Sequence, residues 1–265
     1  MLSSLTLSKK ELIYASMITG IDNIWGIADP YSEMSEDVIR IDILRIQKSL
    51  IEKRYAITED EGPFTLFDGV IDTLRLCAEA RYMYEFSSEE LERCNHVLRF
   101  FCCGDVVIRL DVKEDVTLSV VQLSEMKDEL STYFCSEDGD IWSGALTAGT
   151  TRLKRYGSVS RNRFICELKE KGCNDILSVI IANGLQGSSS FRVVVCYDIS
   201  SPDTSIPVEK LVTIHFPGGD LIAKANDGSL SESITLCKLS QEQISAEIDR
   251  ITIRVLGNGG DQYAS

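Results

Sequence analysis

Near Val97 the apolar residues change period, and this change restricts the available folds more than any other feature of the chain. Residues 97–123, VLRFFCCGDVVIRLDVKEDVTLSVVQL, hold three runs with the two-residue alternation of strands. Gly104-Asp105 and Glu114-Asp115 separate them. Turns this short join antiparallel neighbours, because a parallel crossover takes about a dozen residues or more. An antiparallel meander is predicted, which excludes an all-helical bundle and a doubly wound parallel sheet. A second set of strand-like runs lies at 191–199, 210–216, 221–225 and 233–239, with turn signals at Gly218-Gly219 and Asn226-Asp227-Gly228.

Helical spacing fills most of the remainder. LTL at 5–7 reads as an edge strand. Ser8 with Glu11 three residues on is a capping box opening a helix to about Thr19. Ser35 opens a second helix, where Ile39, Ile43, Ile46 and Leu50 recur at helical spacing, flanked by Ile41, Leu44 and Ile51. So wide an apolar face predicts a largely buried helix, ending near Lys53-Arg54. Two short strands, 55–58 and 64–66, flank an acidic turn, and a third helix is predicted from Asp68 to Tyr84. A short helix follows the first meander, from Ser124 to Phe134. CSEDGDIWSG at 135–144 reads as a polar break, and 144–184 as helical material containing a buried apolar helix at 176–185. A last helix runs from Gln241 to Ile251. The expected class is α+β with an antiparallel sheet and two loosely similar lobes. They span 1–135, with a winged-helix-like segment, and 136–252, before a flexible tail at 253–265.

The residues exclude much chemistry. Lys and Arg total 27 against 41 Asp and Glu, a formal net charge of -14, which repels polyanions. The helix at 36–54 and its hairpin have the order of a winged helix, but Glu59-Asp60-Glu61 occupies the wing tip that would approach phosphate. No nucleic-acid partner is expected. No signal peptide and no spanning run of about 20 apolar residues is read, so the expected location is the cytoplasm, without integral membrane contact. Nine cysteines, an odd number with no CxxC pair, suit free thiols in a reducing compartment and not a zinc site. Cys102 and Cys103, adjacent on a strand, point to opposite faces. Phosphate loops of the GxxxxGK[ST] or GxGxxG type and the GxSxG elbow are absent. No catalytic, cofactor-binding or metal-binding residue is assigned, and no cofactor is expected. Two alternatives stay open: a winged-helix-derived transcriptional regulator, and a small enzyme using His215 with a nearby cysteine.

The N-terminal third, LTLSKKELIYASMITGIDNIWGI, then LIEKRYA and FTLFDGVIDTLRLCAEA, resembles the EspG-like family of chaperones associated with type VII (ESX) secretion. IHFPGGDLIAKA followed by SITLCKLSQEQISAEIDRI is similar to that family's last strands and closing helix, so the chain resembles a distant Gram-positive relative. The resemblance implies an antiparallel sheet flanked by helical bundles in two pseudo-twofold lobes. It also implies a non-enzymatic cytosolic role: binding a helical secreted protein, or a small helical toxin-associated protein, before export. Transferred from the family, the partner contacts fall on the turn at 216–221, with Phe216 and Leu221, and on the last helix, with Ile244 and Ile248. Ile141 and Trp142, apolar residues in the polar central break, are expected to add anchors.

Overall fold

A computed structural model describes residues 2–21, 27, 30–31, 34–58, 62–88, 96–134, 142–144, 161–170, 172–186, 190–201, 204–216, 219–225 and 234–257. These hold seven helices and twelve strands, and the strand pairings with a resolved register are all antiparallel. The chain is an α+β protein built on antiparallel sheet. It separates into two compact units that interleave in sequence. The first comprises 1–83, 95–123 and 198–206, and the second 84–94, 124–197 and 207–265. The boundary expected at 135–136 falls at a residue outside the described set.

In the first unit the strands β1 (Ser4–Leu7), β5 (Val97–Cys103), β6 (Val106–Val112) and β7 (Val116–Gln122) lie in the order β1-β7-β6-β5. The meander forms antiparallel as expected, with Cys103 opposite Val106 across the two-residue turn at Gly104-Asp105 and Val112 opposite Val116, so the second turn takes in Lys113 as well as Glu114-Asp115. Gly104 turns between β5 and β6 at φ 61°, the left-handed backbone that a two-residue hairpin favours at its first position. Strand alternation puts Cys102 inside and leaves Cys103 half-buried. β5 is nevertheless buried on both faces along its middle, from Leu98 to Cys102.

Helices α1 (Lys9–Ile18), α2 (Glu36–Glu52) and α3 (Asp68–Glu79) complete this unit, with the hairpin of β2 (Ala56–Thr58) and β3 (Phe64–Leu66). The capping box forms as expected. Glu11 N–H donates to Ser8 Oγ at 3.2 Å, and Ser8 N–H donates to Glu11 Oε2 at 2.6 Å. Gly69 in the first turn of α3 lies close to the chain start; a Cβ there would sit 3.1 Å from Leu2 Cγ. α3 stops at Glu79, short of the expected Tyr84, because 82–88 joins strand β4 (Tyr82–Ser88) instead. The acidic triplet 59–61 lies outside the described residues.

The expected burial of α2 is corrected. Ile46 and Leu50 are buried, but Ile41 is 53% exposed, Leu44 64% and Ile51 39%. The reason is the company α2 keeps. Its inner side meets α1 through polar pairs: Ser49 Oγ and Lys53 Nζ donate to Glu11 at 2.6 and 2.7 Å, and Gln47 Nε2 donates to Tyr14 Oη at 2.6 Å. Lys10 pairs with Asp42 on the same seam. These polar side chains occupy the inward arc. At about 100° per residue, Ile41, Leu44 and Ile51 then fall on the far side of the helix from Ile46. α2 ends with Arg54 at φ 61° and Tyr55 N–H bonded to Leu50 O at 2.9 Å, a Schellman-type close.

The second unit orders its strands β4-β9-β10-β11-β12-β8, using β9 (Ser190–Ser201), β10 (Thr204–Phe216), β11 (Gly219–Ala225), β12 (Ile234–Lys238) and β8 (Trp142–Gly144), while residues 82–83, 198–201 and 204–206 of these strands are counted with the first unit. The polar break is thus corrected at 142–144, where the backbone pairs with β12. Helices α4 (Leu123–Tyr133), α5 (Arg161–Glu170), α6 (Asp175–Gln186) and α7 (Gln241–Gly257) belong to it apart from Leu123. Phe86 stacks on Tyr133 at 4.2 Å between ring centres and meets Phe134 edge-on at 6.1 Å. In α6, Ile181 and Ala182 are buried while Ile176 is exposed, so the run at 176–185 is buried on part of its circumference only. α7 continues to Gly257, which corrects the tail expected from 253: Ile253 to Gly257 is helical.

One polar hub in the first unit supports a direct test. Asp111 accepts from Arg109 at 3.0 Å and pairs with His96 Nε2 at 2.7 Å, with Lys113 at 3.5 Å. Burial alone would raise its pKa, but the charges of Arg109, His96 and Lys113 and the Arg109 hydrogen bond outweigh it and hold the carboxyl below its ordinary value. Asp111→Ala leaves partly buried donors without their acceptor and is expected to cost about 1–3 kcal/mol in guanidinium unfolding. An unchanged midpoint and slope would show that these groups rehydrate without penalty.

Candidate functional site

The residues expected to contact a partner lie in the second unit and divide into two groups. The first is the β10–β11 hairpin. Phe216 pairs with Gly219 at its end and Ile214 with Leu221, so positions 214, 216 and 221 share one side of the ladder. Of these, Ile214 is fully buried, as is Thr213 on the other side. The structure places Phe216 and Leu221 by their backbone, on the last paired segment before the turn. His215 stands opposite Asp220 in the same register. Ladders link the group onward: Leu221 pairs with Lys238 of β12, and Lys238 pairs with Trp142 of β8. Trp142 and Leu221 thus both stand opposite Lys238, on its two flanking strands. That proximity has no signal in the local sequence, since the two positions are 79 apart in chain numbering. Ile141 lies outside the described residues.

The second group is α7. Ser240 and Gln243 cap it reciprocally: Ser240 N–H donates to Gln243 Oε1 at 3.0 Å and Gln243 N–H to Ser240 Oγ at 3.3 Å. Ile244, Ile248 and Ile251 are 0 to 1% exposed. Their spacing makes them the inward stripe, so the expected presentation of Ile244 and Ile248 to a partner is corrected to packing within the unit. Polar bonds fix the helix from its sides. Tyr84 Oη donates to Ile251 O at 2.8 Å, Lys127 Nζ to Asp249 at 2.6 Å, and Arg250 bridges Glu247 at 2.9 Å and Glu209 of β10 at 3.0 Å. Burial lowers the affinity of Arg250 for its proton, but the two glutamates outweigh this and hold the guanidinium more firmly charged than usual. Among the described side chains of α7, Ile253 is an exposed large apolar one, at 61%. The sequence reading missed it by placing 253 in the tail. Its signal was its position four residues, about one turn, past Asp249, outside the 244–248–251 stripe.

His96 is engaged by Asp111. Burial pushes the Cys173 thiol up to about 11 and raises Cys77 further, which disfavours thiolate in both. No cluster of three or more metal-ligating side chains occurs among the described residues, and none of the described helices is long and apolar enough to cross a membrane. The exposed side of α2 does not carry the cation row of a DNA-reading helix. Arg45 is 3.7 Å from Asp42, Lys48 is 3.8 Å from Glu52, and Ile41, Leu44 and Ile51 lie among them.

No protein-family model and no curated protein sequence matches the chain. Among solved structures it is similar to the type VII secretion system chaperone EspG5 of Mycobacterium tuberculosis, determined in complex with a PE25–PPE41 dimer. The TM-score is 0.61 at 10% sequence identity, over 94% of this chain and 96% of that one. At this identity the likeness is one of fold, and an EspG-like fold is what the two share.

Proposed function

We propose that this chain is a non-enzymatic cytoplasmic chaperone or adaptor that binds a helical type VII secretion substrate before export. The observation that carries the reading is the EspG-like fold over nearly the whole chain, shared with a type VII secretion system chaperone solved in complex with a PE25–PPE41 dimer. The contact surface proposed is the end of the β10–β11 hairpin with Phe216 and Leu221, extended by Ile141 and Trp142. α7 adds Ile253 as an exposed apolar contact, while Ile244 and Ile248 hold the helix in place from within. Docking would bury the apolar tip of a client helix against these residues, with Glu242 and Asp249 on α7 contributing a charged rim that sets its orientation. A small helical protein associated with a toxin fits the same chemistry.

The test is co-expression with the small helical proteins encoded beside it, followed by affinity capture. Wild type is expected to retain one of them stoichiometrically. The double variant Phe216→Asp/Leu221→Asp is expected to keep its circular dichroism and melting temperature while losing capture by about 100-fold or more, as for two hot-spot anchors. Full capture by a folded double variant would refute the surface, and failure of wild type to retain any such protein would refute the role.

A further inference from the structure

Strand β1 ends the strand order, with β7 on one side and no other strand paired to it among the described residues. Val120 N–H donates to Ser3 O at 3.2 Å, so Ser3, Leu5 and Leu7 turn their backbone groups toward β7, and Ser4 and Thr6 turn theirs outward. An outward row of this kind is a template for another strand. Here side chains occupy it. Thr6 N–H donates to Tyr55 Oη at 3.2 Å, and Lys53 Nζ donates to Thr6 O at 3.5 Å. The backbone explains how the ring is held there. Arg54 has φ 61°, a left-handed conformation in which a residue with a Cβ is strained and glycine is not. It turns the chain back at the end of α2. Tyr55 is then clamped from both sides, its N–H on Leu50 O and its carbonyl on Phe67 N–H, each at 2.9 Å. Lys53 is anchored on Glu11 of α1 at 2.7 Å. Two residues from one turn thus reach both outward groups of one strand residue.

We propose that this turn is a plug: Tyr55 and Lys53 stand in for a neighbouring strand and close the β1 edge against strand addition. The strand they exclude is β1 of a second copy. An antiparallel twofold about Leu5 sets Ser4 of one copy opposite Thr6 of the other, so that each outward N–H meets an outward carbonyl. β1 itself is uncharged. Two chains of net charge -14 repel at long range, and salt screens that repulsion without weakening backbone pairing at the edge. The strain at Arg54 then has a use, because it is the turn that delivers Tyr55 to Thr6. The plug lies in the first unit, apart from the residues proposed above for a client.

Residue-resolved hydrogen exchange and sedimentation equilibrium of the full chain test it. Tyr55→Phe keeps the ring and removes the acceptor. It is expected to speed exchange of the Thr6 amide by about five- to tenfold with no change in association state. Tyr55→Ala clears the edge. In about 0.3 M salt its weight-average mass is expected to exceed that of wild type by about a quarter or more at about 200 μM. Adding Thr6→Pro is expected to cancel this excess, because proline deletes the outward N–H and leaves the bonds to β7 intact, a change that an edge strand tolerates. A purely structural role for Tyr55 would produce neither the association nor its rescue. If Tyr55→Ala does not fold, the exchange rate in Tyr55→Phe decides by itself. An unaltered Thr6 exchange rate, a folded Tyr55→Ala that associates no more than wild type, or association that survives Thr6→Pro overturns the proposal.

Discussion

Replacing Ile248 with aspartate is expected to lower stability by about 3–5 kcal/mol, because it puts a charge at a position shut off from water. Ile248 is 1% exposed in the middle of α7, between Ile244 and Ile251 at 0 and 1%. The helix cannot turn to relieve the charge. Its N-terminus is fixed by the Ser240–Gln243 box, its flanks by Lys127–Asp249 and Arg250–Glu209, and its C-terminal half by the Tyr84 bond to Ile251 O. Ile253→Asp is the paired control. At 61% exposure it meets water already and is expected to change stability by no more than about 0.5 kcal/mol. Guanidinium unfolding followed by circular dichroism measures both. Equal losses at the two positions would mean that α7 is not seated as described.

The second large effect is expected at Glu11, where alanine should cost about 2–4 kcal/mol. Its carboxylate is 3% exposed and accepts from Ser8 N–H, Ser49 Oγ and Lys53 Nζ. Alanine removes the acceptor of all three and unseats α2 from α1. Lys53 is 36% exposed and regains water, which keeps the figure below that of a fully buried pair. Burial tends to raise the pKa of Glu11, but the bonds from Lys53, Ser49 and Ser8 prevail and lower it. Asp111 is lowered in the same sense. A carboxyl with a lowered folded pKa stabilises fully above its unfolded value, about 4, and loses that contribution as pH falls through the folded one. The unfolding midpoint should therefore hold from neutral pH to about 5 and decline below about 4, and Glu11→Ala should flatten that decline. A variant with an unaltered acid profile would remove Glu11 from this linkage.

The sequence alone determined the features set by neighbours in the chain. Ser8 and Glu11 are three residues apart, so the capping box could be read before any packing was known, and it forms. The meander followed from two-residue alternation and turns too short for a crossover, and its three strands pair antiparallel as expected. The α+β class rests on both kinds of local order. Tertiary structure decided which of several apolar faces is covered. α2 offers apolar residues around much of its circumference, and periodicity cannot say which arc turns inward. That choice was made by Glu11, Tyr14 and Lys10 of α1, whose partners on α2 are polar. Tyr82–Tyr84 was legible as the end of a helix until strand pairing claimed it for β4, since β pairing between distant segments overrides local propensity. The candidate site follows the same division: the Phe216–Leu221 turn could be found from Gly218-Gly219, but the ladder that seats Trp142 and Leu221 opposite the one Lys238 depends on backbone hydrogen bonds between strands far apart in the chain, which no local pattern encodes.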